Sequence, residues 1–122
     1  MATTFTDNSM IGDQLVYTWT LGDADTGAAK RVGSFGDKSY AMQGTWDTAT
    51  IVLQGSWDPP DQTPATWHTL HESDNTTAIS NTANAIGVIL ENPVWIRPVS
   101  SAGDGAAALT VVISAPWRRM SL

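Results

Sequence analysis

The chain has no cysteine, so its 122 residues must fold without disulfides or a thiolate metal site. One domain of this length can bury enough apolar surface to do so. Long hydrophobic runs are also missing, the longest falling well short of the roughly twenty residues of a membrane helix. Residues 1–16 carry no basic residue ahead of an apolar stretch. Neither a signal peptide nor a membrane partner is therefore expected, and synthesis in a cytoplasm is the simplest reading. Cations are scarce as well, with six Lys and Arg against twelve Asp and Glu and a net charge of −6. A nucleic-acid partner would require a local excess of cations and is not expected.

Catalytic patterns are absent in the same way. His68 and His71 are the only histidines, and three residues apart on a strand they project to opposite faces, where they cannot share an ion. The segment Asp23-Ala24-Asp25-Thr26-Gly27 begins like a calcium loop. Glycine, however, stands where the third oxygen ligand belongs, and Ser34 where the bidentate glutamate should be. No Gly-x-Ser-x-Gly elbow exists, and no pair of carboxylates stands out. The sequence thus predicts no catalytic, metal or cofactor-binding residue, no cofactor, and a protein that is not an enzyme.

What is present is alternation. Leu15, Tyr17, Trp19 and Leu21 fall on one side of a strand, and Leu109, Val111, Ile113 and Ala115 on one side of another. Between them the peptide Gln43-Gly44-Thr45-Trp46-Asp47 recurs eleven residues later as Gln54-Gly55-Ser56-Trp57-Asp58. The two copies read as the arms of a hairpin turning at Asp47-Thr48, with Met42 opposite Leu53 and Gly44 opposite Ile51. Further strands are expected over residues 30–35 and 66–72, a short helical turn over 82–89, and an extended segment over 94–101. Pro93 and Pro98 flank that segment and suggest an edge or a bulge. Pro59, Pro60 and Pro64 make a stiff loop. The expected fold is all-β, an antiparallel β-sandwich of jelly-roll type over residues 14–117, with an N-terminal arm (1–13) that is ordered only when held and a C-terminal tail (118–122).

Six tryptophans with little Lys or Glu on the surface point to a protein that associates. Trp57, Asp58 and Trp67 flank the proline-rich loop, and this triad forms a possible sugar-binding rim, with aromatic faces for stacking and a carboxylate for hydroxyls. The competing reading is a loop pinned by two core indoles.

The segments Ile51-Val52-Leu53-Gln54-Gly55, Trp67-His68-Thr69-Leu70, Trp95-Ile96-Arg97-Pro98 and Gly103-Asp104-Gly105 before Leu109-Thr110-Val111 resemble those of small capsid cement, or decoration, proteins of tailed bacteriophages. The resemblance spans residues 32–113. It implies a structural protein on the capsid surface of the virion, made in the host cytoplasm, that bridges major capsid proteins and pairs with itself as a homodimer or homotrimer. The segments such partners would engage carry Phe5, Lys30, Arg31, Trp117, Arg118 and Arg119. The alternative is a carbohydrate- or receptor-binding sandwich module of a phage fibre or spike.

Overall fold

The structure, a computed structural model, describes residues 7–11, 14–33, 37–103 and 105–116. Ten strands follow one another in these residues: β1 (Asp7–Ile11), β2 (Gln14–Leu21), β3 (Lys30–Arg31), β4 (Ser39–Thr45), β5 (Thr50–Ser56), β6 (His68–Thr69), β7 (Ser80–Asn81), β8 (Ala85–Val88), β9 (Trp95–Ser101) and β10 (Ala108–Pro116). One sheet has the order β1-β2-β10-β4-β8 and the other β3-β9-β5-β6, with β7 also on β5. Every pairing is antiparallel. Chain neighbours alternate between the two sheets from β2 to β5 and again from β7 to β10, while β2 and β10 lie side by side, which is the jelly-roll arrangement of two facing sheets.

The alternating residues build the core as expected. Leu15, Tyr17, Trp19, Leu21, Leu109, Val111, Ile113 and Ala115 are all buried, and Tyr40, Met42, Ala49, Ile51 and Leu53 meet them from the remaining strands. Part of the N-terminal arm belongs to this fold, because β1 lies within residues 1–13 and pairs with β2 from Asp7↔Thr18 to Ile11↔Gln14.

The repeat does not form a hairpin. Its turn has hairpin chemistry, with Asp47 and Thr48 both at positive φ (47° and 66°) and Ala49 N donating to Trp46 O at 2.7 Å. Beyond the turn the two copies enter different sheets. Met42 lies beside Val111 and Gly44 beside Leu109, whereas Leu53 lies beside Pro98 and Ile51 beside Ser100. A period of two fixes which residues face the core, but it cannot distinguish a strand that pairs alongside from one that packs across. Gly44 is exposed although it lies beside buried Leu109; its φ is 134°, and a Cβ there would lie 2.2 Å from Ala108 O.

Three further expectations change. Residues 82–89 hold strand β8, not a helical turn, because Met42↔Ala85 through Ser39↔Val88 complete the ladder on β4. The strand expected over 66–72 shrinks to His68–Thr69 plus an isolated bridge between His71 and Ala78. Pro98 sits in an interior strand, between β3 and β5. It is tolerated because its partner Leu53 turns its own amide and carbonyl away, to Ile79 and Leu70, while Pro98 O accepts from Gly27 N at 2.8 Å. Gly27 is required for this approach, since a Cβ there would lie 2.7 Å from Pro98 and 2.9 Å from Trp19.

Candidate functional site

The outer face of the second sheet carries the site. On β9, Ile96 and Pro98 point into the core, which leaves Trp95 and Arg97 on the outside. Register places Gln54 of β5 beside Arg97, and Thr69 of β6 on the other side of Gln54. The Arg97 Nε donates to Gln54 Oε1 at 2.9 Å, and the guanidinium lies 4.0 Å from the centre of the Trp67 ring. Burial pulls the Arg97 guanidinium below its ordinary value. The cation is thus oriented by one amide and one indole, at a partly dry surface where a cation–π contact is worth most.

The proline-rich loop closes over the neighbouring end of this face. Asp58 Oδ2 accepts from the amides of Ala65 (2.6 Å) and Thr66 (3.0 Å), which joins the two ends of the loop. The Thr66 and Ala65 amides also hold the carboxyl below its usual range. Trp95 Nε1 donates to Asp58 O at 3.2 Å, so the loop rests on the indole. Between them lies an open cleft of about 470 Å³ lined by Ala29, Trp95, Asp61, Gln62 and Thr63 with the prolines 60 and 64. It offers an aromatic wall, prolyl rings and hydroxyl- and amide-bearing groups, the composition that suits a polar ring with an apolar face.

The residues of the sequence-derived rim have separate neighbours. Trp67 belongs to the Arg97 stack. Trp57 is 48% exposed and meets His68 edge-on with ring centres 5.9 Å apart. Trp57 thus packs on His68 and Trp67 on Arg97, and no ring contact joins the two tryptophans among the described residues. Asp58 acts as the clip of the loop. Lys30 and Arg31 form edge strand β3, whose Arg31 carbonyl accepts from the Tyr17 hydroxyl at 2.9 Å. Phe5, Trp117, Arg118 and Arg119 lie outside the described residues.

Sequence reasoning missed Trp95, Arg97 and Gln54 as members of a site. The alternation Trp95, Arg97, Val99 against Ile96, Pro98, Ser100 carried the signal, but two prolines nearby favoured an edge and hid it. His68 and His71 do not converge: His71 Nδ1 pairs with Glu91 Oε2 at 2.6 Å, far along the chain from the Trp57–His68 contact. The acidic turn is a local clip, in which Asp25 Oδ2 accepts from Gly22 N at 2.6 Å. Among the described residues no three His, Cys, Asp or Glu side chains gather as a metal site.

A second surface lies on the other sheet. Edge strand β8 exposes Ile86 (84%) and Val88 (48%), and with Ala41, Val112, Ser39 and Ser114 these line an apolar groove of about 530 Å³.

No protein-family model and no curated protein matches the sequence. Among solved structures, the chain is similar to the SPBc2 prophage-derived protein YomS, with a TM-score of 0.54 and 11% identity over 88% of this chain and 98% of that one. It is also similar to a cupin domain from Bordetella pertussis, with a TM-score of 0.48 and 10% identity over 98% of each chain. A cupin-2 domain containing protein from Shewanella frigidimarina gives a TM-score of 0.41 and 13% identity, over 88% of this chain and 74% of that one. At such identities it is the fold that is shared, and the likeness to the prophage-derived protein places the chain among antiparallel two-sheet β-sandwiches.

Proposed function

We propose that the chain is a carbohydrate- or receptor-binding β-sandwich module of a bacteriophage particle, with the outer face of the second sheet as its ligand surface. The observation that carries this reading is the Trp67–Arg97–Gln54 stack standing beside the Trp95 cleft. Large aromatic rings left partly exposed, fixed in orientation and joined to polar groups give a sugar both a stacking surface and hydrogen-bond partners. The shared fold with a prophage-derived protein supports the phage setting. No bond-breaking step is assigned to the face, which acts by binding.

A glycan-binding screen tests the reading. The wild type should retain at least one saccharide, and Trp67→Ala should weaken that binding about tenfold, the size of one lost aromatic contact. Trp57→Ala should have a smaller effect, because its ring meets His68 rather than the stack. A wild type that binds no saccharide would overturn the reading.

One observation favours a second reading, the apolar edge of β8. An exposed edge strand with Ile86 and Val88 on its face is a docking surface for another chain. In that reading the protein is a capsid cement protein whose partners are the major capsid protein and a second copy of itself.

A further inference from the structure

Arg97 is a partly buried cation whose contacts are an amide and an indole. Twelve carboxylates give the chain a net charge of −6, yet among the described residues none pairs with Arg97. A guanidinium has five N–H donors, and among the described residues only Nε is taken, by Gln54. Trp67 covers one face of the group, and neither Nη atom donates to a described residue. A half-buried arginine with a fixed plane and an unfilled fork is matched to a planar anion, which it can hold through two parallel bonds. The same strand presents Trp95 two residues away on the same side, against a cleft whose loop wall carries Gln62 and Thr63.

We infer that the outer face of the second sheet binds an acidic saccharide, a sugar bearing a carboxylate, with the carboxylate in the fork of Arg97 and the ring against Trp67 and the Trp95 cleft. This rests on the reading of the face as a sugar-binding surface and adds the class of sugar. Asp61 lies on the loop side of the cleft, so the acid group is directed to the Arg97 end. Gln54 is a positioning residue, because it acts by fixing the guanidinium plane.

Matched pairs of ligands test the inference by titration calorimetry on the full chain. Trigalacturonate is compared with its methyl ester, and sialyllactose with lactose. The acidic member of at least one pair should bind about tenfold or more tightly than its neutral counterpart. Arg97→Gln should remove that preference, so that the acidic and neutral members of the pair bind alike. Arg97→Lys keeps the charge and the aliphatic stem but not the fork, so it should lose most of the preference with the circular dichroism spectrum unchanged; it decides the matter if Arg97→Gln does not fold. Gln54→Ala should reduce the preference in part. Equal binding of acidic and neutral partners overturns the acid class and leaves the sugar-binding reading standing. An acid preference retained in both Arg97 variants assigns the carboxylate elsewhere and also overturns it. Binding to none of the four overturns the acid class, and the glycan screen then decides the sugar-binding reading on its own.

Discussion

His71 and Glu91 tie two distant segments with both oxygens of one carboxylate. Oε1 accepts from the His71 amide at 2.8 Å and Oε2 meets the ring Nδ1 at 2.6 Å, while Leu90 N returns a bond to His71 O at 2.9 Å. Partial burial pushes the Glu91 carboxyl upward, but the bonds from His71 outweigh it and the net direction is down. A carboxyl with a depressed folded-state value stabilises the fold fully above its ordinary value of 4.5 and loses that contribution as the pH falls through the folded value. Glu91→Gln keeps an acceptor for the His71 amide and cannot ionise. Urea titrations of both proteins at neutral and acidic pH should show the wild type more stable at neutral pH, by about 1 kcal/mol or less because the pair is partly exposed. The difference should close as the pH falls below the carboxylate range. A difference that widens on acidification would mean that the ionised carboxylate is not the stabilising form.

At the level of the element, one side chain, Asp58, closes the proline-rich loop, which also rests on the Trp95 indole. Three prolines withhold donors from any ladder, so the Asp58 bonds to Ala65 and Thr66 close a loop that has few others of its own, such as Gln62 N to Pro59 O. Asp58→Ala should therefore open the loop without unfolding the sandwich. Amide hydrogen exchange at Ala65 and Thr66 should speed up markedly, exchange in β2 and β10 should stay as it was, and saccharide binding should weaken because one wall of the cleft moves. Unchanged exchange at both amides would show that the loop is held by other contacts. The loop was legible in the sequence from its prolines, and so were strands β2, β4, β5 and β10 from alternation that burial matches apart from the exposed Gly44. The partners of β4 and β5 were not legible. Met42 and Leu53 face each other's sheets across the core, and the pattern of inward residues is identical whether two strands lie side by side or opposite. Strand β8 was missed because Ala85, Ile86, Gly87 and Val88 show no polar and apolar alternation, its apolar residues pointing outward. The Arg97 stack joins residues 54, 67 and 97, which only the jelly-roll crossing of chain brings together.

The molecule as a whole carries two surfaces on its two sheets, with the buried core between them. Trp67, Arg97 and Trp95 stand outside the second sheet, and Ile86 and Val88 on the far edge of the first. Facing sheets lie about 10 Å apart, and sites separated by more than 7–10 Å with no shared partner act nearly independently. Association and ligand binding should then be separable. Lys introduced on the apolar edge, as Ile86→Lys with Val88→Lys, places charge on a strand whose outer side has no strand partner among the described residues, and charged side chains there block edge pairing. In sedimentation at tens of micromolar, conditions that populate an association of about micromolar affinity, the wild type should be an oligomer and the double Lys variant a monomer. The same variant should bind saccharide as the wild type does. Trp67→Ala should do the opposite, remaining an oligomer while binding the ligand about tenfold more weakly. If the edge variant abolished saccharide binding as well, the ligand site would be completed by a second copy and the two surfaces would be one. A monomeric wild type would remove self-association through β8 and leave that edge to a different chain, as a cement protein on the major capsid protein requires.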